Sequence, residues 1–151
     1  MANIFLIIHI LLSCLSYLGF SLAFFSAVVF LWMERRLKAK HLPKLGFLPW
    51  SLESLDNFNT KTLMGGFVFF TVGLIAGIIA TKQRFGRFFI GDPKELWSFA
   101  SWLFYAGIVW VRFSYTLRGR KVMLLASLAF GMVLFTFLGV NVFFQAIHSI
   151  R

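Results

Sequence analysis

The chain divides into long apolar blocks separated by short cationic stretches. Ile4 to Met33 is the first block, interrupted only by His9, a few serines and Gly19. About 20 helical residues cross a hydrocarbon core, so this block predicts a spanning helix with length to spare for tilt or protrusion. It stops at Glu34-Arg35-Arg36-Leu37-Lys38-Ala39-Lys40-His41, where His41 reads as a solvated loop residue. The second block, Leu63 to Thr81, is rich in glycine, and Gly73-Leu74-Ile75-Ala76-Gly77 has the GxxxG spacing that lets helix backbones approach closely in lipid. The third runs from Leu96 to about Tyr115, with Trp97 and Trp102 toward one end and Trp110 and Arg112 toward the other. The fourth runs from Val122 to Ile147, just before His148. The pattern predicts an all-α polytopic membrane protein, a bundle of four transmembrane helices at about 4–33, 63–81, 96–115 and 122–147. Residues 1–151 read as a single domain, with no internal repeat or linker.

Two connecting stretches carry structure of their own. Pro43 and Pro49 break the segment after the first block, and Leu52, Leu55 and Phe58 then recur three apart with acids between them. That spacing predicts a short interfacial helix lying on the inner surface, with Trp50 at headgroup depth; a partner-binding helix is the alternative. Between the second and third blocks lies Phe85-Gly86-Arg87-Phe88-Phe89-Ile90-Gly91-Asp92-Pro93-Lys94-Glu95-Leu96-Trp97. Asp92 suits a helix N-cap, Pro93 the first helical position, and Glu95, three after the cap, can reach back as in a capping box. Capping alone accounts for Asp-Pro-Lys-Glu. The aromatic faces of Phe85, Phe88, Phe89 and Trp97 beside the cations Lys82, Arg84, Arg87 and Lys94 add a functional reading.

Composition fixes the class. The 151 residues are 60% hydrophobic, 19% aromatic and 13% charged, with mean hydropathy +0.84. Soluble domains carry about 25% charge, so this chain lacks the groups to coat a water-facing surface. The net charge of +10 therefore reads as loop cations that set orientation and not as a nucleic-acid footprint. The single cysteine, Cys14, excludes an intrachain disulfide, a CxxC pair and a CxxCH haem attachment, and reads as a small packing residue. The N-terminal block lacks a positive leading region and is too long for a signal peptide. No residues have the spacing of a catalytic nucleophile, base or metal cluster, so the expectation is a protein that is not an enzyme.

With four spans, both termini share one side. Arg35, Arg36, Lys38, Lys40, Lys44 and Lys61 join Arg112, Arg118, Arg120 and Lys121 on one face, leaving five of the fifteen Lys and Arg on the other. The positive-inside rule places the termini and the Phe85–Trp97 loop outside a cell (inner or plasma) membrane. His9 and His148 then both fall at the outer face, beside that loop. A lone histidine in a membrane helix is ordinarily a hydrogen-bonded packing residue. Two at one depth fit axial ligation of haem iron by neutral imidazoles, with flat aromatics for the macrocycle and Lys or Arg for its propionates.

Several stretches together resemble a known family. They are Leu52-Glu53-Ser54-Leu55-Asp56-Asn57-Phe58-Asn59, Gly73–Gly77, Gly91-Asp92-Pro93-Lys94-Glu95-Leu96-Trp97, Trp102-Leu103-Phe104-Tyr105-Ala106, Arg118-Gly119-Arg120-Lys121, Leu134–Asn141 and His148-Ser149. In this order, over nearly the whole chain, they resemble the C-terminal part of the CcsA/ResC type of cytochrome c assembly membrane proteins and the related HemX-like proteins. The resemblance implies an external loop ending in Asp-Pro-Lys-Glu that cradles non-covalent b-type haem, two external histidines that ligate the iron, and presentation to an apocytochrome. It maps the ligands to His9 and His148, and the end of the loop to Asp92, Pro93, Lys94, Glu95 and Trp97. With the aromatic and cationic residues, the candidate haem site is His9, His148, Phe85, Arg87, Phe88, Phe89, Asp92, Lys94 and Trp97. Partners expected are membrane lipid and other assembly subunits or an apocytochrome, and no nucleic acid.

The chain also departs from that pattern. Phe85, Phe88, Phe89 and Ile90-Gly91 stand where the family's loop has tryptophans, and a histidine typical of its third helix falls at Trp110. Phenylalanine stacks on a porphyrin but offers no N–H donor. The family also places several helices before the segment matched here. Two other readings therefore stand beside haem handling: a HemX-like regulator or scaffold that binds no haem, and one piece of a split assembly protein. The orientation is testable with fused reporters: those after Lys40 and after Lys121 report cytoplasm, and one at Gly86 reports the outside. A cytoplasmic signal at Gly86 removes the outer-face site.

Overall fold

The computed structural model describes residues 4–39, 50–114 and 119–135. The candidate ligand His148, loop residues Lys40 to Pro49 and the expected end of the fourth span, 136–147, lie outside the described residues. Four helices follow in order: α1 (Ile4–Lys38), α2 (Leu52–Phe85), α3 (Pro93–Ser114) and α4 (Arg120–Leu134). The first three are long and apolar enough to cross a membrane. The described part of α4 has 15 residues, short of the about 20 a span requires.

α1 has 35 residues, about 52 Å at 1.5 Å per residue, against a core of about 30 Å. It runs five residues past the expected end at Met33. Lys38 Nζ bridges to Glu34 Oε1 at 2.8 Å one turn back, Arg36 lies 4.2 Å over the Trp32 ring, and the cations of the last turn complement the helix dipole.

α1 and α2 pack antiparallel along a seam of small residues. A Cβ at Gly19 would lie 2.9 Å from Gly66 Cα and 3.1 Å from the Thr62 carbonyl, and one at Gly66 would lie 2.9 Å from the Phe20 ring. The backbones are therefore in contact here, the approach that glycine permits in lipid. Further along, a Cβ at Gly73 would meet Leu12 Cβ at 3.3 Å. Around the seam, Phe20 stacks on Tyr105 of α3 at 3.9 Å between centroids and meets Phe70 edge-on at 5.8 Å. Val122, Ala126, Ala129 and Val133 of α4 complete this core. A second cluster of Ala27, Phe30, Met33, Leu55 and Met123 closes the end of the bundle where α1 finishes and α2 and α4 begin.

The expected short interfacial helix does not exist as a separate element. Ser51 caps α2, accepting from the Ser54 N–H at 3.1 Å, and the helix then continues unbroken from Leu52 to Phe85. The surface it buries there is not the Leu52–Leu55–Phe58 stripe. Leu55, Asp56 and Asn59 are buried, while Phe58 is 46% exposed. Polar partners explain the difference. Asn59 Nδ2 donates to the Ala23 carbonyl at 2.6 Å and to Ser26 Oγ at 3.1 Å. Arg112 Nη2 donates to Asp56 Oδ1 and to the Asp56 carbonyl, each at 3.0 Å, and to Thr60 Oγ1. The Arg112 and Asp56 side chains are only 7% and 9% exposed. All these bonds converge on Nη2 and, among the described residues, leave Nη1 buried without a partner, so the pair is not the two-pronged fork arginine makes with a carboxylate at its strongest. Toward the other end, Trp102 Nε1 donates to Thr71 Oγ1 at 3.0 Å. These two ties fasten α3 to α2.

The packing can be tested through stability in detergent. Gly66→Leu drives a side chain into Phe20 and α1 and costs about 1–3 kcal/mol, the range for overpacking. Gly65→Ala meets nothing within 4 Å and stabilises by up to about 1 kcal/mol, the helix-propensity difference. Asp56→Leu strands the Arg112 cation and costs about 3–5 kcal/mol, and adding Arg112→Met recovers most of that loss.

Candidate functional site

The site is built from the N-terminal part of α1, the C-terminal part of α2 and the start of α3. α2 terminates at Gly86, whose left-handed backbone (φ 71°) lets its N–H close on the Lys82 carbonyl at 2.9 Å. Gly91 takes a second left-handed turn (φ 81°), and α3 begins at Pro93 as the sequence predicts. Asp92 Oδ1 accepts from the Lys94 N–H at 3.2 Å. Glu95 reaches back beyond the cap: its Oε2 accepts from the N–H groups of Ile90 at 3.0 Å and Gly91 at 3.2 Å. The carboxylate thus anchors the loop itself. Cations fix two of its rings, with Lys82 Nζ 4.2 Å over Phe88 and the Arg84 guanidinium 5.4 Å over Phe85.

Beneath the loop is a cleft of about 260 Å³. Its walls are Leu6 and His9 of α1, the face of α2 from Leu74 through Gly77 to Arg84, the rings of Phe85, Phe88 and Phe89, and the start of α3 at Lys94, Glu95, Ser98 and Phe99. At its base, His9 Nδ1 is 2.7 Å from the Gly73 carbonyl oxygen. The ring lies so close to Gly77 that a Cβ there would be 2.8 Å from Nδ1. The GxxxG of α2 is therefore a seat for Leu12 and for an imidazole.

Of the sequence-predicted residues, His9, Phe85, Phe88, Phe89 and Lys94 come together in this cleft. Three others do not line it. Arg87 is exposed in the loop, Asp92 serves as the α3 cap, and Trp97 packs edge-on against Phe135, the C-cap of α4, at 5.4 Å. Trp110, where the resemblance implies a further histidine, is 70% exposed. Arg84, Glu95, Ser98 and Phe99 line the cleft without belonging to the sequence-predicted site. The signal for them is helical spacing: Arg84 is two turns beyond Gly77 on one face of α2, and Glu95 and Ser98 share a face of α3.

Chemically, the cleft offers one imidazole, flat apolar walls, the cations Arg84 and Lys94, and the Glu95 carboxylate, whose Oε2 is engaged by the loop N–H groups. That donor set suits a planar aromatic ligand with an acidic edge and a metal that accepts imidazole nitrogen. Its volume is near the lower end of the usual range of about 300–1,000 Å³, so these walls embrace part of a large macrocycle and not all of it. Among the described residues, no three His, Cys, Asp or Glu come together to hold a bare metal ion.

Comparison with known proteins gives a consistent result. The family described as cytochrome C assembly protein matches residues 1–148. A cytochrome c biogenesis protein CcsA of Prochlorococcus marinus (strain AS9601) is 43% identical over 97 residues, 64% of this chain and 31% of that protein. Its namesake in Pyropia yezoensis is 38% identical over 98 residues, 65% and 31% of the two chains. That of Synechococcus sp. (strain JA-2-3B'a(2-13)) is 37% identical over 106 residues, 68% and 30%. The matched region spans under a third of the length of each of these relatives. No solved structure matches.

Proposed function

The chain belongs to the cytochrome c assembly protein family, and we propose that it is a membrane component of cytochrome c biogenesis that holds haem at the outer ends of its helices. The observation that carries this reading is the gathering of His9, the three loop phenylalanines and two cations around one cleft. In this proposal His9 supplies one axial nitrogen, and His148, the position the resemblance assigns, supplies the other. Phe85, Phe88 and Phe89 cover the macrocycle, and Arg84 and Lys94 take its propionates. Bound there, haem is the cargo, a redox-active iron porphyrin on its way to an apocytochrome. The protein's own work is to hold it flat, keep water from its faces and pair its carboxylates. The residues suit that role, because the walls are apolar and the charges are confined to the rim.

The test is haem titration of purified protein followed by absorption. With both histidines in place, the bound haem shows the low-spin spectrum of bis-histidine iron, and His9→Ala with His148→Ala abolishes binding. Arg84→Ala weakens binding by up to about 1.5–3 kcal/mol, the worth of a charge-assisted hydrogen bond. Arg87→Ala, outside the cleft, stays within about 0.5 kcal/mol of wild type. Unaltered uptake by the double histidine variant, or none by wild type, overturns the haem site and leaves a scaffolding role in its place.

A further inference from the structure

We infer that Gly73 and Gly77 preset the His9 imidazole as the Nδ1–H tautomer, so that Nε2 is the nitrogen offered to the ligand of the cleft. The purpose of this device rests on the haem reading; the tautomer itself is a property of the haem-free protein.

The chemistry of the contact dictates the proton's place. The Gly73 oxygen can only accept, and it lies 2.7 Å from His9 Nδ1, so Nδ1 carries the hydrogen. A neutral imidazole has one N–H, which leaves the lone pair on Nε2. The carbonyl has capacity for this. Within α2 it accepts from the N–H four residues on, at Gly77, and its second lone pair is available to an outside donor. Glycine at 77 is what admits the ring. A Cβ there would stand 2.8 Å from Nδ1, 3.0 Å from Cε1 and 3.4 Å from Cγ, too close for the ring to keep this place. The ring edge pressed to α2 is thus the Nδ1 edge, and His9 lines the cleft. An imidazole that donates its other N–H to a backbone carbonyl is fixed in orientation and made more basic, which is how metal-ligating histidines are supported. Gly73 and Gly77 are accordingly positioning residues, acting through His9.

The test uses haem-free protein labelled with nitrogen-15 in its histidine rings, in nanodiscs at a pH well above the usual histidine pKa of about 6.5. The His9 resonances are identified by their loss in His9→Gln. The expected result is a protonated Nδ1 and a bare Nε2. Gly77→Ala mixes the tautomers and lowers haem affinity by about 10–100-fold, the usual effect of removing such support, while Gly65→Ala, with open space around it, changes neither. A proton on Nε2 in wild type overturns the inference, as does Gly77→Ala with tautomer and affinity both unchanged. Should Gly77→Ala fail to fold, the wild-type spectrum decides alone. Failure of the haem reading looks different: wild type shows the Nδ1–H tautomer yet takes up no haem. Haem bound through His9 with the proton on Nε2 sinks the inference and leaves the haem site standing.

Discussion

The arrangement depends on the contact of two backbones at Gly19 and Gly66. In lipid there is no hydrophobic force to press helices together, so association relies on close packing and buried hydrogen bonds. The glycine contact supplies the first and sets one register for everything else along α1 and α2. That register puts Ala23 and Ser26 opposite Asn59, Leu12 opposite Gly73 and His9 opposite Gly77. Sliding α1 by a turn would strand the buried Asn59 amide and lift the imidazole from its seat. Structural and functional contacts therefore share one constraint.

The other helices join this pair through polar ties as well as apolar packing. α3 is held near its middle by Trp102 on Thr71 and at its end by Arg112 on Asp56 and Thr60, with the Phe20–Tyr105 stack between them. The cleft lies beyond these ties, between the loop and the parts of α1, α2 and α3 that flank it. Glu95 keeps the loop in place above it by occupying the Ile90 and Gly91 N–H groups.

Much of this is legible in the residues. Apolar blocks mark the helices, Asp92-Pro93 marks the start of α3, and the meeting of His9 with Phe85, Phe88, Phe89 and Lys94 follows from topology. What cannot be read depends on pairing across helices. Leu52, Leu55 and Phe58 look like a stripe for a membrane surface until Asp56 meets Arg112 and Asn59 meets Ser26, because a polar residue faces inward only when a partner waits there. The GxxxG spacing is visible, but its neighbour is not: nothing in Gly73–Gly77 alone distinguishes a facing backbone from a facing imidazole. Gly19 and Gly66, which do bring backbones together, sit in no GxxxG, only in the looser small-xxx-small spacings Gly19–Ala23 and Thr62–Gly66. Arg84 and Arg87 both read as loop-side cations, but Arg84 is on the last turn of α2 and lines the cleft, whereas Arg87 lies past the Gly86 cap and is exposed.

The unbroken course of α2 gives the molecule a lever. Gly66 stands about 15 Å along the axis from Asp56 and about 16 Å from Gly77, at 1.5 Å per residue. Gly66 is thus nearly midway between the buried ion pair and the imidazole seat. A stiff rod pivoting there moves its two ends by equal amounts in opposite directions, about 1.4 Å each for a tilt of about 5°. Were α2 to tilt about Gly66 as a rigid rod, a displacement at the Asp56–Arg112 clasp would be matched at the His9 seat. A hinge where the interfacial helix was expected to end would interrupt that rod.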